Sequence, residues 1–467
     1  MQYWHSAPVR EGGIALREAH DGDLVVVIPG ILGSVLRRGH RQVWGYRRII
    51  TSLHRLASAL TEDLLLPAAA FDDPDAGVDD GVQVDGVLRT VDIIPGFFSI
   101  DGYDELISQL RRRFSSGAIV EFPYDWRQSN QFTARLLQET VEPLLRARRA
   151  EYPGARLVLV GHSMGGLVAR YYAECLDTRG LVHRVVTIGT PFSGAAKALA
   201  VLANGRADLG PARLDLSDLL PSLPSVAELL PMYPCVGASG DELAPLRSVQ
   251  VPGLPARCLQ RGLDFHDAIA AAVADAGRAR PRYHAVLSHR QATDTWVSVE
   301  SVGVVAHQVR DPGESGDGTV PRCSASPPEW ADDADAVFVA GRHGALQQQR
   351  EVLTQLQGIL SARPRRPMAV DDEIAVDAPE YVLPGEQWSV RARSVEGSDA
   401  LVLRVTVTDP ATGRVLASEA VRPCGGGRYS ATLPWARPGI FRWQVHTTPV
   451  AGTPVDPVAD VLLCAGE

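Results

Sequence analysis

The sequence predicts an α/β protein, a mostly parallel sheet covered by helices, with a small all-β domain behind it. Three observations carry that prediction. β-like and helix-like segments alternate up to residue 362. A Gly-x-Ser-x-Gly turn at 161–165 sits between an apolar run and a helix-like run. Beyond residue 363 the pattern changes to short alternating strands separated by Gly/Pro turns. The 467 residues suffice for more than one domain and a large core. Hydrophobic residues at 45% and charged residues at 22% are an ordinary globular composition, and the net charge of −9 argues against nucleic acid as the main partner. Lys197 is the single lysine, so the arginine excess reads as coding bias rather than arginine-specific chemistry.

In chain order, Leu24–Ile28 is a short buried strand running into Pro29-Gly30-Ile31-Leu32-Gly33-Ser34. Residues 72–85 are acidic and glycine-containing, the pattern of an exposed loop. Residues 103–114 read as a helix with Leu106, Ile107 and Leu110 on one face. A strand at 118–122 follows, then a long amphipathic helix at 131–149 bearing Leu136, Leu137, Val141, Leu144 and Leu145. Strands at 184–188, 283–287 and 336–340 and a closing helix at 345–360 complete the first domain, 1–362. Within it, the Pro- and Leu-rich stretch 202–280 reads as a cap inserted over the site, or as a helical excursion packed on the core. Arg363-Pro364-Arg365-Arg366-Pro367 opens a linker at 363–370, because proline and charge stop the preceding helix. Residues 371–467 then read as an immunoglobulin-like sandwich.

The first six residues lack a basic segment followed by an apolar stretch, and no apolar run reaches the ~18 residues of a membrane span. The expected address is the cytoplasm, with peripheral membrane contact. Cys175, Cys235, Cys258, Cys323, Cys424 and Cys464 show no ligand spacing and read as free thiols, Cys424 with Cys464 being the alternative pair. No metal or other cofactor is expected.

The chemistry centres on Gly161-His162-Ser163-Met164-Gly165. Between the run 157–160 and the apolar helix 167–172, this is the strand-turn-helix context of the nucleophile elbow in α/β-hydrolases. Small residues two positions either side let strand and helix approach closely, and the Met164 N–H at the helix start faces a developing oxyanion. Such a serine needs a base and an acid, in the chain order Ser, Asp or Glu, His. Asp317, in Gly316-Asp317-Gly318, lies in the right segment; its alternative role is an Asx turn, and Asp294 and Asp311 are its rivals. His343 follows the last strand, a slot that His284, His289, His307 and His446 do not fit. His162 points toward the core or a neighbouring loop. The second oxyanion donor comes from the loop after the first strand, Ile31 or else Leu32.

With these elements placed, the chain resembles the lecithin:cholesterol acyltransferase-like family, which includes lysosomal-type phospholipase A2 and phospholipid:diacylglycerol acyltransferases. The likeness rests on Val27–Ser34, on Pro123-Tyr124-Asp125-Trp126-Arg127, on 161–172, on Gly189-Thr190-Pro191-Phe192-Ser193-Gly194, on 316–321 and on His343, and so spans residues 20–360. The resemblance implies an acyl-enzyme on Ser163, with Asp317 and His343 as orienter and base and Ile31 and Met164 as oxyanion hole. It implies a mobile lid at 203–214 and a lipid-meeting loop near Trp44 and Tyr46, here without the cysteines that close it in secreted members. Leu32 and Trp44 are the substrate contacts it suggests. The expected activity is a serine-dependent lipid acyl hydrolase or acyltransferase. One alternative is an esterase or thioesterase on a soluble ester. Another is a regulated effector whose β domain binds a protein partner and brings the lipase core to a membrane or complex.

Overall fold

The computed structural model describes residues 22–45, 53–114, 117–209, 212–240, 242–275, 280–309, 313, 315–330, 336–361, 373–435, 437–447 and 455–466. Residues 1–6, Tyr46, Asp311 and the 363–370 linker lie outside them.

Six strands form the central sheet: β1 (Leu24–Ile28), β2 (Ile119–Glu121), β3 (Leu157–His162), β4 (Val182–Ile188), β5 (Arg282–Ser288) and β6 (Val337–Val339). Their order is β6-β5-β4-β3-β1-β2, and every pairing is parallel. The near-continuous apolar run of β1 suits a strand covered on both faces, and all five of its residues are buried. The chain order reverses beside β1, and in such sheets ligands bind outside the carboxyl ends of the strands at the reversal. Helices α1 (Asn130–Glu151) and α2 (Met164–Tyr171) flank β3 in sequence and pack on each other.

Most of the described leucines of the 202–280 stretch belong to the core. Leu219, Leu220, Leu223, Leu229 and Leu230 are all buried in the same cluster as the sheet. The segment expected as a lid holds a hairpin, Arg206–Leu209 against Ala212–Asp215, whose Ala207 and Leu214 are buried. The acidic stretch 72–85 is the expected exposed loop only as far as residue 81. Val82–Val87 is a strand there, and Asp80 pairs with the buried Arg127 guanidinium at 2.8 Å. The closing helix also starts later than expected. A 3₁₀ turn, His343–Gln348, precedes the helix Arg350–Ser361, because Gln347 and Gln348 donate across to the carbonyls of Gly102 and Asp101.

The C-terminal domain is a curled eight-stranded sheet: β7 (Ile374–Asp377), β8 (Tyr381–Val382), β9 (Gln387–Ser394), β10 (Leu403–Thr408), β11 (Val415–Gly425), β12 (Arg428–Pro434), β13 (Gly439–Thr447) and β14 (Val458–Cys464). The long β11 pairs with β10 on one side and β12 on the other, joining the two halves around one apolar core. Strict alternation of buried and exposed residues along β9 is the pattern of a half-solvated antiparallel strand. No disulfide joins the six cysteines, so Cys424 and Cys464 are not paired.

Candidate active site

Ser163 occupies the sharp turn between β3 and α2 with φ 51° and ψ −126°, a backbone conformation that a non-glycine residue adopts only under constraint. The constraint is close packing. A Cβ on Gly165 would lie 2.3 Å from the Ile28 carbonyl oxygen, so helix and first strand nearly touch there. The Thr190 hydroxyl donates to the Ser163 carbonyl at 3.0 Å, and the Ser163 N–H donates to Ile188 at 2.8 Å.

The Ser163 Oγ lies 2.8 Å from His343 Nε2, and His343 Nδ1 lies 2.6 Å from Asp317 Oδ2. Ser163, His343 and Asp317 are all nearly inaccessible, at 3%, 3% and 2% exposure, so the hydrogen bonds form away from competing water. Asp317 serves as an Asx turn as well. Its Oδ1 accepts the N–H groups of Thr319 and Val320 at 2.9 and 2.7 Å, leaving Oδ2 for the histidine. The His343 N–H donates to the Asp317 carbonyl at 2.8 Å, tying the two loops by backbone as well. Gly189 has φ 57°, and a Cβ there would sit 3.2 Å from Asp317 Oδ2 and 3.4 Å from His343 Nδ1. Its missing side chain keeps that space clear. Asp294 is far from this pairing in character; it sits on the strand Asp294–Glu300 under the influence of Lys197.

The loop after β1 lies against the serine, for a Cβ on Gly30 would be 2.8 Å from Ser163 Cβ. The backbone N–H groups of Ile31 and Met164 have no hydrogen-bond partner among the described residues. Leu32 takes φ 65°, a second strained residue in the same loop. Its carbonyl accepts from the Trp44 indole at 2.8 Å, and Trp44 packs edge-on to Trp126 at 5.5 Å. Leu32 and Trp44 are therefore internal, at 0% and 3% exposure, and Trp44 braces the loop from behind. Tyr124 completes the bracing. Its hydroxyl donates to the Pro29 carbonyl at 2.8 Å, while Asp125 and Asp80 hold Arg127. That is what the Pro-Tyr-Asp-Trp-Arg segment does in this fold.

Sequence reading did not single out Tyr103. The Gly30 N–H donates to its hydroxyl at 2.7 Å, and that hydroxyl lies 2.8 Å from His162 Nδ1. His162 Nε2 lies 3.3 Å from the His343 carbonyl. A hydroxyl with one proton donates to Nδ1, which leaves the proton of neutral His162 on Nε2, facing that carbonyl. Burial, then the nearby His343, pushes the His162 pKa down to about 3. One Tyr-His pair thus links the loop after β1, the elbow and the histidine loop. A lone Tyr ahead of a helix carries no sequence signal for that role.

Among the described residues no group of His, Cys, Asp or Glu is arranged to hold a metal, and no helix is long and apolar enough to cross a membrane.

A parallel sheet with a strained serine at the end of its third strand, a histidine after its last strand and an aspartate between them in sequence is an α/β-hydrolase. Residues 99–245 match the lecithin:cholesterol acyltransferase family, so over that segment this α/β-hydrolase is similar to that family. The match takes in the Pro-Tyr-Asp-Trp-Arg segment and Ser163 and is shorter than the 20–360 span that the motifs suggested. Over 89 residues the chain is 34% identical to lysosomal phospholipase A and acyltransferase of Mus musculus, covering 18% of this chain and 20% of that protein. The Rattus norvegicus protein of the same name matches to the same extent. The chain thus spans about a fifth of the length of the curated relatives it matches. Among solved structures, the propeptide form of Bacillus licheniformis lipase BlEst2 aligns over 95% of this chain and 93% of its own at 11% identity and TM-score 0.34. The CARDB domain of a Pyrococcus furiosus protein aligns with 21% of this chain and 94% of its own at 11% identity and TM-score 0.16.

Proposed function

We propose that the protein is a serine-dependent lipid acyl hydrolase or acyltransferase that works through an acyl-enzyme on Ser163. The observation that carries this reading is the continuous Ser163–His343–Asp317 hydrogen-bond chain, 2.8 and 2.6 Å, at the end of the sheet. His343 Nε2 takes the Ser163 proton as Oγ attacks the ester carbonyl, and Asp317 holds the imidazole in the tautomer that leaves Nε2 free to accept. The N–H groups of Met164, at the start of α2, and of Ile31 stabilise the oxyanion. His343 returns the proton to the leaving alkoxide as the acyl group passes to Ser163. Water or an alcohol then attacks the acyl-serine by the reverse sequence.

The lipid assignment rests on the family of residues 99–245. It is tested by acyl release from mixed phospholipid and neutral-lipid vesicles, with and without a long-chain alcohol, comparing wild type with Ser163→Ala. Serine-dependent free fatty acid supports a lipid hydrolase, and ester formed with the alcohol supports a transferase. Cleavage of a short soluble ester with no release from any lipid overturns the lipid assignment and leaves a general esterase.

A further inference from the structure

The acid and base loops are held by the C-terminal sheet. Arg342, immediately before His343, extends out of its loop into that domain. Its Nε lies 2.7 Å from Asp460 Oδ2 on β14, its Nη1 donates to the Val376 carbonyl on β7 at 3.3 Å, and its guanidinium sits 6.0 Å from the Trp443 ring centre on β13. Asp460 reaches the far side of the same loop. Its Oδ1 accepts from the Ser99 hydroxyl at 2.9 Å, and Ser99 packs so tightly on Gly344 that a Cβ there would meet the Ser99 carbonyl oxygen at 2.4 Å. The next link repeats the pattern. The Asp101 N–H donates to the Gly344 carbonyl at 2.7 Å, and the Asp101 carboxylate accepts from Arg442 Nε on β13 at 2.8 Å.

The aspartate loop is held through Gln291. Its backbone exchanges hydrogen bonds with Gly316, the residue before Asp317, at 2.9 and 3.3 Å. Its side-chain amide donates to the Ile374 carbonyl at 3.2 Å and accepts the Val376 N–H at 3.1 Å, adding a rung to the edge of β7. Gln291, Asp460 and Arg342 are all buried or nearly so, which makes each of these contacts sensitive to the loss of a partner.

We propose that the C-terminal domain is an integral part of the active site: Asp460, through Arg342 and Ser99, and β7, through Gln291, are positioning elements that set His343 and Asp317 against Ser163. The proposal rests on reading those three residues as a triad. A misplacement of about 1 Å in such a constellation costs roughly a hundredfold in rate.

The test uses the full chain with Asp460→Asn, Gln291→Ala and the conservative Asp460→Glu. Lys197→Ala is the control. Lys197 makes an ion pair between the same two domains, at 3.3 Å to Glu380, and belongs to neither loop. Three quantities are read: kcat and KM on a soluble ester, the rate of Ser163 modification by a fluorophosphonate, and amide hydrogen exchange at 161–166, 316–321 and 341–349. The expected result is a tenfold to hundredfold fall in kcat and in labelling for Asp460→Asn and Gln291→Ala, with KM within about twofold. Exchange rises at 316–321 and 341–349 and stays at the wild-type rate at 161–166. Asp460→Glu recovers part of kcat, and Lys197→Ala stays within about twofold of wild type. Wild-type kcat, labelling and exchange in both Asp460→Asn and Gln291→Ala overturn the proposal. So does an Asp460→Glu chain no better than a poorly folding Asp460→Asn, with Gln291→Ala at wild-type rate. Full activity in Ser163→Ala overturns instead the triad reading, and with it any catalytic meaning of the two loops.

Discussion

The two halves of the candidate site are supported in different ways. The nucleophile side, Ser163 and the loop after β1, is braced within the hydrolase domain by Tyr103, Tyr124, Trp44 and Thr190. The base side, Asp317 and His343, is braced largely by a domain appended beyond the catalytic fold, through Asp460, Arg442 and β7. The first support uses hydroxyls and an indole, with the Arg127 ion pairs to Asp80 and Asp125 behind them. The second uses buried ion pairs, which are costly to bury and costlier to break by removing one partner. The lesson is that the domain, weighed from sequence as a partner-binding module, makes several polar contacts onto the loops that hold Asp317 and His343, beside others elsewhere on the hydrolase domain such as Glu380 with Lys197.

The largest expected effects strike both halves. Ser163→Ala and His343→Ala each lower kcat at least ~10⁴-fold, and Asp317→Asn about 10⁴-fold, with the fold retained by circular dichroism. Gly189→Ala comes next. Its left-handed backbone and the closeness of Asp317 Oδ2 make alanine lower kcat by roughly a hundredfold, checked by steady-state kinetics.

Tyr103→Phe distinguishes the halves. It strips the Gly30 N–H and His162 Nδ1 of a shared buried partner, so it costs about 1–3 kcal/mol of stability in chemical denaturation. Combined with Asp460→Asn, its effect on stability adds to within about 0.5 kcal/mol if the two sides are separately braced; a larger coupling breaks the comparison.

Acidification gives the smallest and sharpest contrast, because the two sides titrate with opposite sign. His162 has its pKa lowered to about 3, so between about pH 6.5 and 3 the unfolded chain takes the proton first and stability falls with pH. Asp101 has its pKa raised to about 6 by burial, partly offset by Arg442, so between about pH 6 and 3.8 the folded chain takes the proton first and stability rises as pH falls. The free energy of unfolding, measured by denaturant titration at pH 7 and pH 5, should therefore fall less in His162→Gln than in wild type, by about 2 kcal/mol, and fall more in Asp101→Asn, by about 1 kcal/mol.

Much of this architecture is legible in sequence wherever the signal is local. The apolar runs of β1 and β3, the glycines about Ser163, and the placement of Asp317 and His343 relative to strands all lie within a few residues of the feature they announce. Asp317 makes the contacts of both its weighed roles at once, the turn on Oδ1 and the histidine on Oδ2. Illegible were the contacts between segments far apart in the chain. Asp460 bonds Ser99 across 361 positions, and the Val376 N–H reaches Gln291 across 85; nothing in periodicity or spacing marks such pairs. Asp80 looked like one more charge in an acidic loop because its buried partner, Arg127, lies 47 residues away. Trp44, placed as a lipid contact by resemblance, is internal because the Leu32 carbonyl and Trp126 claim it.

The central claim is that chemistry passes through Ser163. The most direct measurement is to quench the protein during turnover of a long-chain acyl ester and locate the acyl group by peptide mass spectrometry. One acyl group per chain on the tryptic peptide 157–170, at Ser163, and no adduct in Ser163→Ala is the predicted result. Turnover with no adduct on that peptide, undiminished in Ser163→Ala, would contradict it.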